Sequence, residues 1–150
     1  AITAANVPQG VQITTTERGL NIRIKDDALF QSGSARLNPQ IKEFIDLIAS
    51  LVKELPNLIA VEGHTDNQPI RSLLYPSNWD LSTARANTLV RYLIGQHHLA
   101  DHRFSSTGYA GTRPVELNDT PEGQASNRRV ELIVLRDTSP EASLTPPFLP

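Results

Sequence analysis

Cysteine is absent from the 150 residues, which excludes structural disulfides and thiolate metal sites outright. That absence assigns no compartment. Long apolar runs are missing too. The longest, such as Leu58-Ile59-Ala60-Val61, fall far below the roughly 20 residues needed to span a bilayer. Neither sign of charge dominates: 14 Lys and Arg against 16 Asp and Glu leave a formal net charge of −2. There is thus no basic field to draw nucleic acid or an anionic membrane surface. No signal peptide is visible, and the first residue is Ala1 rather than methionine, so the expectation is a piece excised from a longer chain. No P-loop, dinucleotide-binding glycine pattern or serine elbow occurs, and Gly108-Tyr109-Ala110-Gly111 reads as a turn rather than a phosphate cradle.

What is present suits one globular domain. A hydrophobic content of 39% and a charged content of 20% allow a chain of this length to bury a core without staples. Val11, Ile13 and Thr15 alternate with polar residues, as do Leu20, Ile22 and Ile24 beyond Glu17-Arg18-Gly19, which predicts a hairpin or bent strand pair. Asp26 to Leu37 lose periodicity and read as a loop. Asn38-Pro39 offers a cap followed by proline at a first helical position. From there Ile41, Phe44, Ile45, Ile48, Leu51, Val52 and Leu55 form a helical stripe, stopped by Pro56-Asn57. Leu58 to His64 predicts a buried strand. A loop with Pro69 and Pro76 leads to a second helix from about Asp80 to Gln96. Arg103 to Tyr109 reads as a strand, Thr120-Pro121-Glu122 as the cap of a short helical turn, and Val130, Leu132 and Val134 as a final strand. This order predicts an α/β (α+β) two-layer sandwich with helices on one face of a mixed sheet. The expected divisions are a linker-like segment 1–10, a domain 11–136, and a Pro-rich disordered tail 137–150.

The chemistry gathers at the strand–loop–helix crossover VEGHTDNQPIRSLLYPSNWDLSTARA, Val61 to Ala86. Asp66 lies just past the end of a buried strand, where open α/β sheets present ligand-binding groups. Arg85 lies one to two turns into the next helix, whose free N–H groups favour anions and whose guanidinium offers a fork for a carboxylate. An aspartate for an ammonium and an arginine for a carboxylate suit a ligand bearing both on one carbon. The plainer alternative is an internal Asp66–Arg85 ion pair steadying the crossover. Asn78 reads as a cap or near-cap, Trp79 as a core or staple residue, Phe30 as packing beneath the site, and Thr65 and Leu81 as sources of backbone contacts. Arg128 and Arg129 alternate across the last strand, so one faces the site while the other is solvent-exposed or paired with a surface acid. His97, His98 and His102 read as a solvated loop and His64 as a structural hydrogen-bonding residue, so no metal site is expected. Glu62 and Asp66 have the even spacing of a glycosidase pair, but Glu62 is embedded in an apolar strand, and no catalysis is expected.

Several spaced motifs resemble OmpA-like peptidoglycan-binding domains over roughly residues 20–136. They are Phe30-x-x-Gly-Ser-Ala-x-Leu37, Gly63-His64-Thr65-Asp66, Asn78-Trp79-Asp80-Leu81-Ser82-Thr83-Ala84-Arg85-Ala86, Gly108-Tyr109 with Arg113-Pro114, and Asn127-Arg128-Arg129-Val130. The form NWDLSTARA and the long loop around Arg71 to Tyr75 resemble the MotB-type flagellar stator branch in particular. The resemblance implies an OmpA-like fold and non-catalytic binding of the diaminopimelate of a peptidoglycan stem peptide, with Asp66 and Arg85 as its ligands. It also implies Asn78 at the pocket rim and, by analogy, Arg128 in the site. It implies no cofactor, a homodimer, a membrane-embedded stator partner subunit, and a periplasmic or wall-facing location in a protein held in the inner membrane. An OmpA-like anchor of a lipoprotein or outer-membrane protein, a peptidoglycan-cleaving enzyme and a pure protein-interaction module are the alternatives.

Overall fold

Alternating apolar residues build the first hairpin, in which β1 (Val11–Thr16) pairs antiparallel with β2 (Gly19–Lys25) and sets Val11 opposite Ile24. The structure, a computed structural model, describes residues 7–138. Directly after β2 comes α1 (Asp26–Leu29), a single turn where the sequence suggested only loop. Asp26 and Asp27 in the first turn suit the positive end of a helix, Phe30 N–H closes on the Asp26 carbonyl, and Leu29 is fully buried. Four residues are too few to carry a 3.6-residue period, so the turn left no signal. The chain then doubles back, with Phe30 bridging Leu37.

α2 (Pro39–Lys53) buries Ile41, Phe44, Ile45, Ile48, Ala49 and Val52, while Leu51 and Leu55 of the expected stripe stay exposed. Asn38 occupies the cap position without capping. Its Nδ2 donates instead to the carbonyls of Asp27, Ala28 and Phe30, tying α1 and its loop to the start of α2. β3 (Asn57–His64) and α3 (Asn78–His97) follow, then a 3₁₀ turn (Asp101–Arg103), β4 (Phe104–Gly108), α4 (Pro121–Asn127) and β5 (Arg129–Thr138). The sheet order is β1-β2-β5-β3-β4. β3 and β4 run parallel and the other neighbours antiparallel, giving the expected mixed sheet. β5 runs two residues past the expected boundary at 136. Residues 1–6 and 139–150, which hold most of the expected linker and tail, lie outside the described residues. Among the described residues no helix is long and apolar enough to cross a membrane.

One face of the sheet makes the core. Ile22, Ile24, Ile59, Val61, Val130 and Leu132 form one cluster with Ile45 and Ile48 of α2 and Leu89 and Leu93 of α3, each side chain contributing about 1.5–3 kcal/mol by leaving water. The other face is charged. Glu62 and Glu131 stand opposite each other on β3 and β5, an arrangement that repels unless cations intervene. Arg18 grips Glu62 with two bonds of 3.0 and 2.7 Å. Arg129 Nε donates to Glu131 at 2.6 Å, and Asn21 Nδ2 donates to its other oxygen at 2.8 Å. Arg129 is therefore neither solvent-exposed nor paired with a surface acid. It is buried, because Glu131 lies two residues along the same face. His64 also corrects its expectation: among the described residues neither ring nitrogen finds a hydrogen-bond partner, and the ring stacks on Tyr109 at 5.2 Å. Burial, with the Arg129 charge, holds its pKa down to about 4.

α3 is docked on the strand ends through two glycines. A Cβ on Gly63 would stand 2.1 Å from the Ser82 carbonyl oxygen, and one on Gly108 would stand 2.2 Å from Thr83 Oγ1. Only a bare backbone lets the helix come this close. Ser82, wholly buried, accepts the Ala110 N–H at 3.0 Å and so clamps the helix to the chain leaving β4.

Candidate functional site

Asp66 emerges from β3 at the point where α3 and the β4 exit crowd together. Its Oδ1 accepts the Gln68 N–H at 2.9 Å, a local turn that fixes the carboxylate, and its Oδ2 accepts Arg128 Nη1 at 2.6 Å. The residue is 7% exposed. The backbone beside it is held in turn: Thr65 N–H donates to the Ala110 carbonyl, and Tyr109 N–H donates to the Gly63 carbonyl. Ala110 takes a left-handed φ of 53, which costs a non-glycine residue about 1–2 kcal/mol. Its bonds to Thr65 and Ser82 hold it there.

Arg85 lies in the third turn of α3, 5% exposed, with its guanidinium carbon 5.3 Å from the centre of the Phe30 ring. Phe30 thus packs beneath the site as expected. Arg85 Nε donates to the Ser34 carbonyl, and Nη1 lies 2.6 Å from Asp26 Oδ1. The direct Asp66–Arg85 ion pair, the plainer of the two sequence readings, is not formed. Each partner is matched with a different residue, Asp66 with Arg128 and Arg85 with Asp26. The two pairs are neighbours: Asp26 feels Arg85, Arg128 and Asp66 together. The strand register explains why. Lys25 of β2 faces Arg129 of β5, and the Asp26 N–H donates to the Arg128 carbonyl at 2.9 Å, so the residues just beyond both strands meet at one corner.

Burial raises the Asp26 pKa above the ordinary carboxylate value despite Arg85 and Arg128, and burial likewise lowers that of Arg85 despite Asp26. Both members of this pair are thus pushed toward neutrality, the sign that lost hydration outweighs their mutual attraction.

The remaining expected residues sort unevenly. Arg128, with its side chain 39% exposed, joins the site. Asn78 is the first residue of α3, the cap being Ser77, whose hydroxyl accepts the Asp80 N–H; Asn78 Nδ2 instead holds the Gln68 carbonyl at 2.9 Å and braces the loop beside Asp66. The N–H groups of Thr65 and Leu81 are engaged inside the fold, with Ala110 and Ser77, and offer no free donor. The helix start contributes no anion cradle beside Arg85 either. Arg85 lies seven positions after Asn78, about 10 Å along the axis, beyond the first turn where the end charge acts. Trp79 is 54% exposed rather than core, because it falls on the outward side of the first turn; Leu73 and Leu74 of the long loop are exposed as well. Asn127, fully buried, ties down the chain before α4. Its side chain holds the Val115 and Glu116 N–H groups, the Glu116 carbonyl and Asn118. His97 belongs to the helix end rather than a solvated loop and contacts Asp46 at 2.6 Å. Among the described residues no three His, Asp or Glu side chains converge to hold a metal ion.

The profile of the OmpA family matches residues 29–128. The chain belongs to the OmpA family. It is 42% identical over 124 residues to Motility protein B of Bacillus subtilis, a match covering 80% of this chain and 46% of the relative. Among solved structures it is similar to the cell wall anchor of the T6SS from Pseudomonas aeruginosa, at 37% identity and a TM-score of 0.78, covering 85% of this chain and 88% of that one. It is also similar to the periplasmic domain of Helicobacter pylori MotB, at 26% identity and a TM-score of 0.77, covering 89% and 86%. The chain spans about half or less of the length of the curated relatives it matches. The OmpA-family resemblance and the mixed-sheet fold expected from the sequence are thereby established. Two residues of this OmpA-family corner were missed in the sequence, Asp26 and Ser82. Asp26 sat in a stretch read as loop, and Ser82 looked like any helical serine until Gly63 and Gly108 brought the strand ends against it.

Proposed function

We propose that this OmpA-family domain binds peptidoglycan without cleaving it, by holding the zwitterionic end of diaminopimelate in a stem peptide. The observation that carries the reading is the separate pairing of Asp66 and Arg85, two buried, opposite charges at one corner that are matched with other residues rather than with each other. An ammonium at Asp66 and a carboxylate at Arg85 conserve the neutrality of the corner. Each charge-assisted bond contributes about 1.5–3 kcal/mol before desolvation is deducted, so one domain binds modestly and several in one assembly bind firmly. Glu62, the other half of the imagined glycosidase pair, has both oxygens held by Arg18 on the charged face of the sheet, which suits a structural role and not a proton donor.

The similarity to Motility protein B supports placement as the wall anchor of a flagellar stator, acting as a homodimer on the periplasmic side. Attachment to the inner membrane and to a membrane-embedded partner subunit belongs to the same reading. The 37% identity to the T6SS anchor favours a second reading, the same wall-binding chemistry in a different envelope machine. A sacculus pull-down comparing wild type with Asp66→Ala and Arg85→Ala tests what the two readings share. Both variants should melt cooperatively and lose wall binding. Folded variants that sediment with walls as well as wild type would overturn the assignment.

A further inference from the structure

Asp26 and Asp66 hold their arginines in different ways. Asp66 accepts two aligned bonds, from Gln68 N–H and Arg128 Nη1. Asp26 Oδ1 lies 2.6 Å from Arg85 Nη1, yet this buried oxygen accepts no aligned hydrogen bond from the described residues. The aligned bond made by the Arg85 guanidinium goes to the Ser34 carbonyl instead, through Nε. A carboxylate at close range with poor alignment gains Coulomb attraction but little of the directional strength of a fork. Its backbone cannot adjust to improve the fit, because Asp26 N–H is tied to the Arg128 carbonyl and α1 is only one turn long. Asp26 thus occupies the guanidinium that a ligand carboxylate needs, and occupies it badly.

We propose that Asp26 is a built-in competitor for Arg85, a specificity-setting carboxylate that a ligand's own carboxylate must displace before the wall is held. The proposal rests on the peptidoglycan reading above. Displacement favours a ligand that brings an ammonium along with its carboxylate. Once Arg85 turns to the ligand, Asp26 faces Asp66 and its neighbour Asp27, with Arg128 as the remaining cation that acts on it. A simple carboxylate adds a negative charge to this corner, whereas a zwitterion adds none. The groups that face the Asp26–Arg85 pair are Arg128 from the α4–β5 junction, Asp66 from the end of β3, Asp27 on the same turn, and Tyr75 from the long loop near Arg85. Because burial raises the Asp26 pKa, Asp26 takes up a proton on acidification before an ordinary aspartate does. Arg85 is then freed while the ligand's α-carboxylate remains ionised.

The test is competition of free meso-diaminopimelate against binding to sacculi held well below half-saturation, measured at pH 7 for wild type, Asp26→Asn, Asp26→Ala, Asp66→Ala and Arg85→Ala. Asp26→Asn should lower the half-competing concentration by about fivefold at pH 7, the scale of one ion pair that no longer has to be given up. If Asp26→Asn competes at the wild-type concentration or a higher one, while Asp66→Ala and Arg85→Ala abolish wall binding, the competitor role is overturned and the wall reading stands. If meso-diaminopimelate displaces nothing from any form, wild type included, the diaminopimelate reading fails and this inference fails with it. Asp26→Ala is the second variant: should Asp26→Asn fold poorly, a folded Asp26→Ala that competes no better than wild type contradicts the proposal.

Discussion

Gly63→Ala is the sharpest single perturbation of the corner that carries Asp66 and Arg85. A Cβ there would stand 2.1 Å from the Ser82 carbonyl oxygen and 2.9 Å from its carbon. Reaching the 3.4 Å of ordinary contact requires a shift of about 1.3 Å between two backbones, and no side chain can rotate to absorb it. Overpacking of this kind costs typically about 1–3 kcal/mol, and more where the backbone itself must move. We expect the upper part of that range, about 3 kcal/mol. For a domain of this size each kcal/mol lowers the melting temperature by about 3–5 °C, so the expected drop is about 10 °C or more. Gly95→Ala is the matched control. It lies in α3, the helix against which Gly63 packs, with nothing within 4 Å of the added carbon, and should stabilise by about 0.5–1 kcal/mol through helix propensity. Thermal and urea unfolding of the two variants beside wild type decide the matter. If Gly63→Ala melts as high as Gly95→Ala, α3 is not seated on β3 as described, and the positioning of Arg85 relative to Asp66 falls with it.

Glu131→Ala should destabilise by about 3–5 kcal/mol, because it strands the buried Arg129 charge; urea unfolding measures this. His64, held neutral with a pKa of about 4 against 6.5 for the free side chain, binds its proton more readily in the unfolded chain. Its contribution to stability should be complete above about pH 6.5 and be lost as the pH falls toward 4. Unfolding free energies across that range should show the slope in wild type and a shallower one in His64→Gln. Thr120→Ala removes the hydroxyl that caps α4 on the Gly123 N–H and should cost about 1 kcal/mol, read from the denaturation midpoint. Trp79→Ala, at an exposed position, should leave stability within about 0.5 kcal/mol of wild type.

The elements were legible where a period ran long enough. The stripe from Ile41 to Val52 and the alternation of Leu20, Ile22 and Ile24 identified α2 and β2, because their buried faces repeat at 3.6 and 2 residues. Asp66, Arg85 and Arg128 were legible as motif positions, and the fold brings all three to one corner. Their partnerships were not. The exchange of partners depends on which residues of β2 and β5 face each other, and a chain read locally does not contain that register. Asp26 carried no signal of its own beyond standing next to Asp27 in an aperiodic stretch. Alternation correctly separated Arg128 from Arg129, but the fate of Arg129 turned on Glu131 sharing its face and on the depth of that face in the fold. Trp79 shows the opposite failure. A lone tryptophan at a helix start invites a core assignment, and the actual first residue of α3 turned it outward.

The most direct measurement compares binding to sacculi whose stem peptides carry meso-diaminopimelate with binding to sacculi that carry L-lysine in the same place. The two side chains differ by one carboxylate, the group assigned to Arg85. Saturable binding to the diaminopimelate wall, at least tenfold weaker on the lysine wall and lost in Arg85→Ala, is the expected result. Equal affinity for the two walls would contradict recognition of the zwitterion by Asp66 and Arg85.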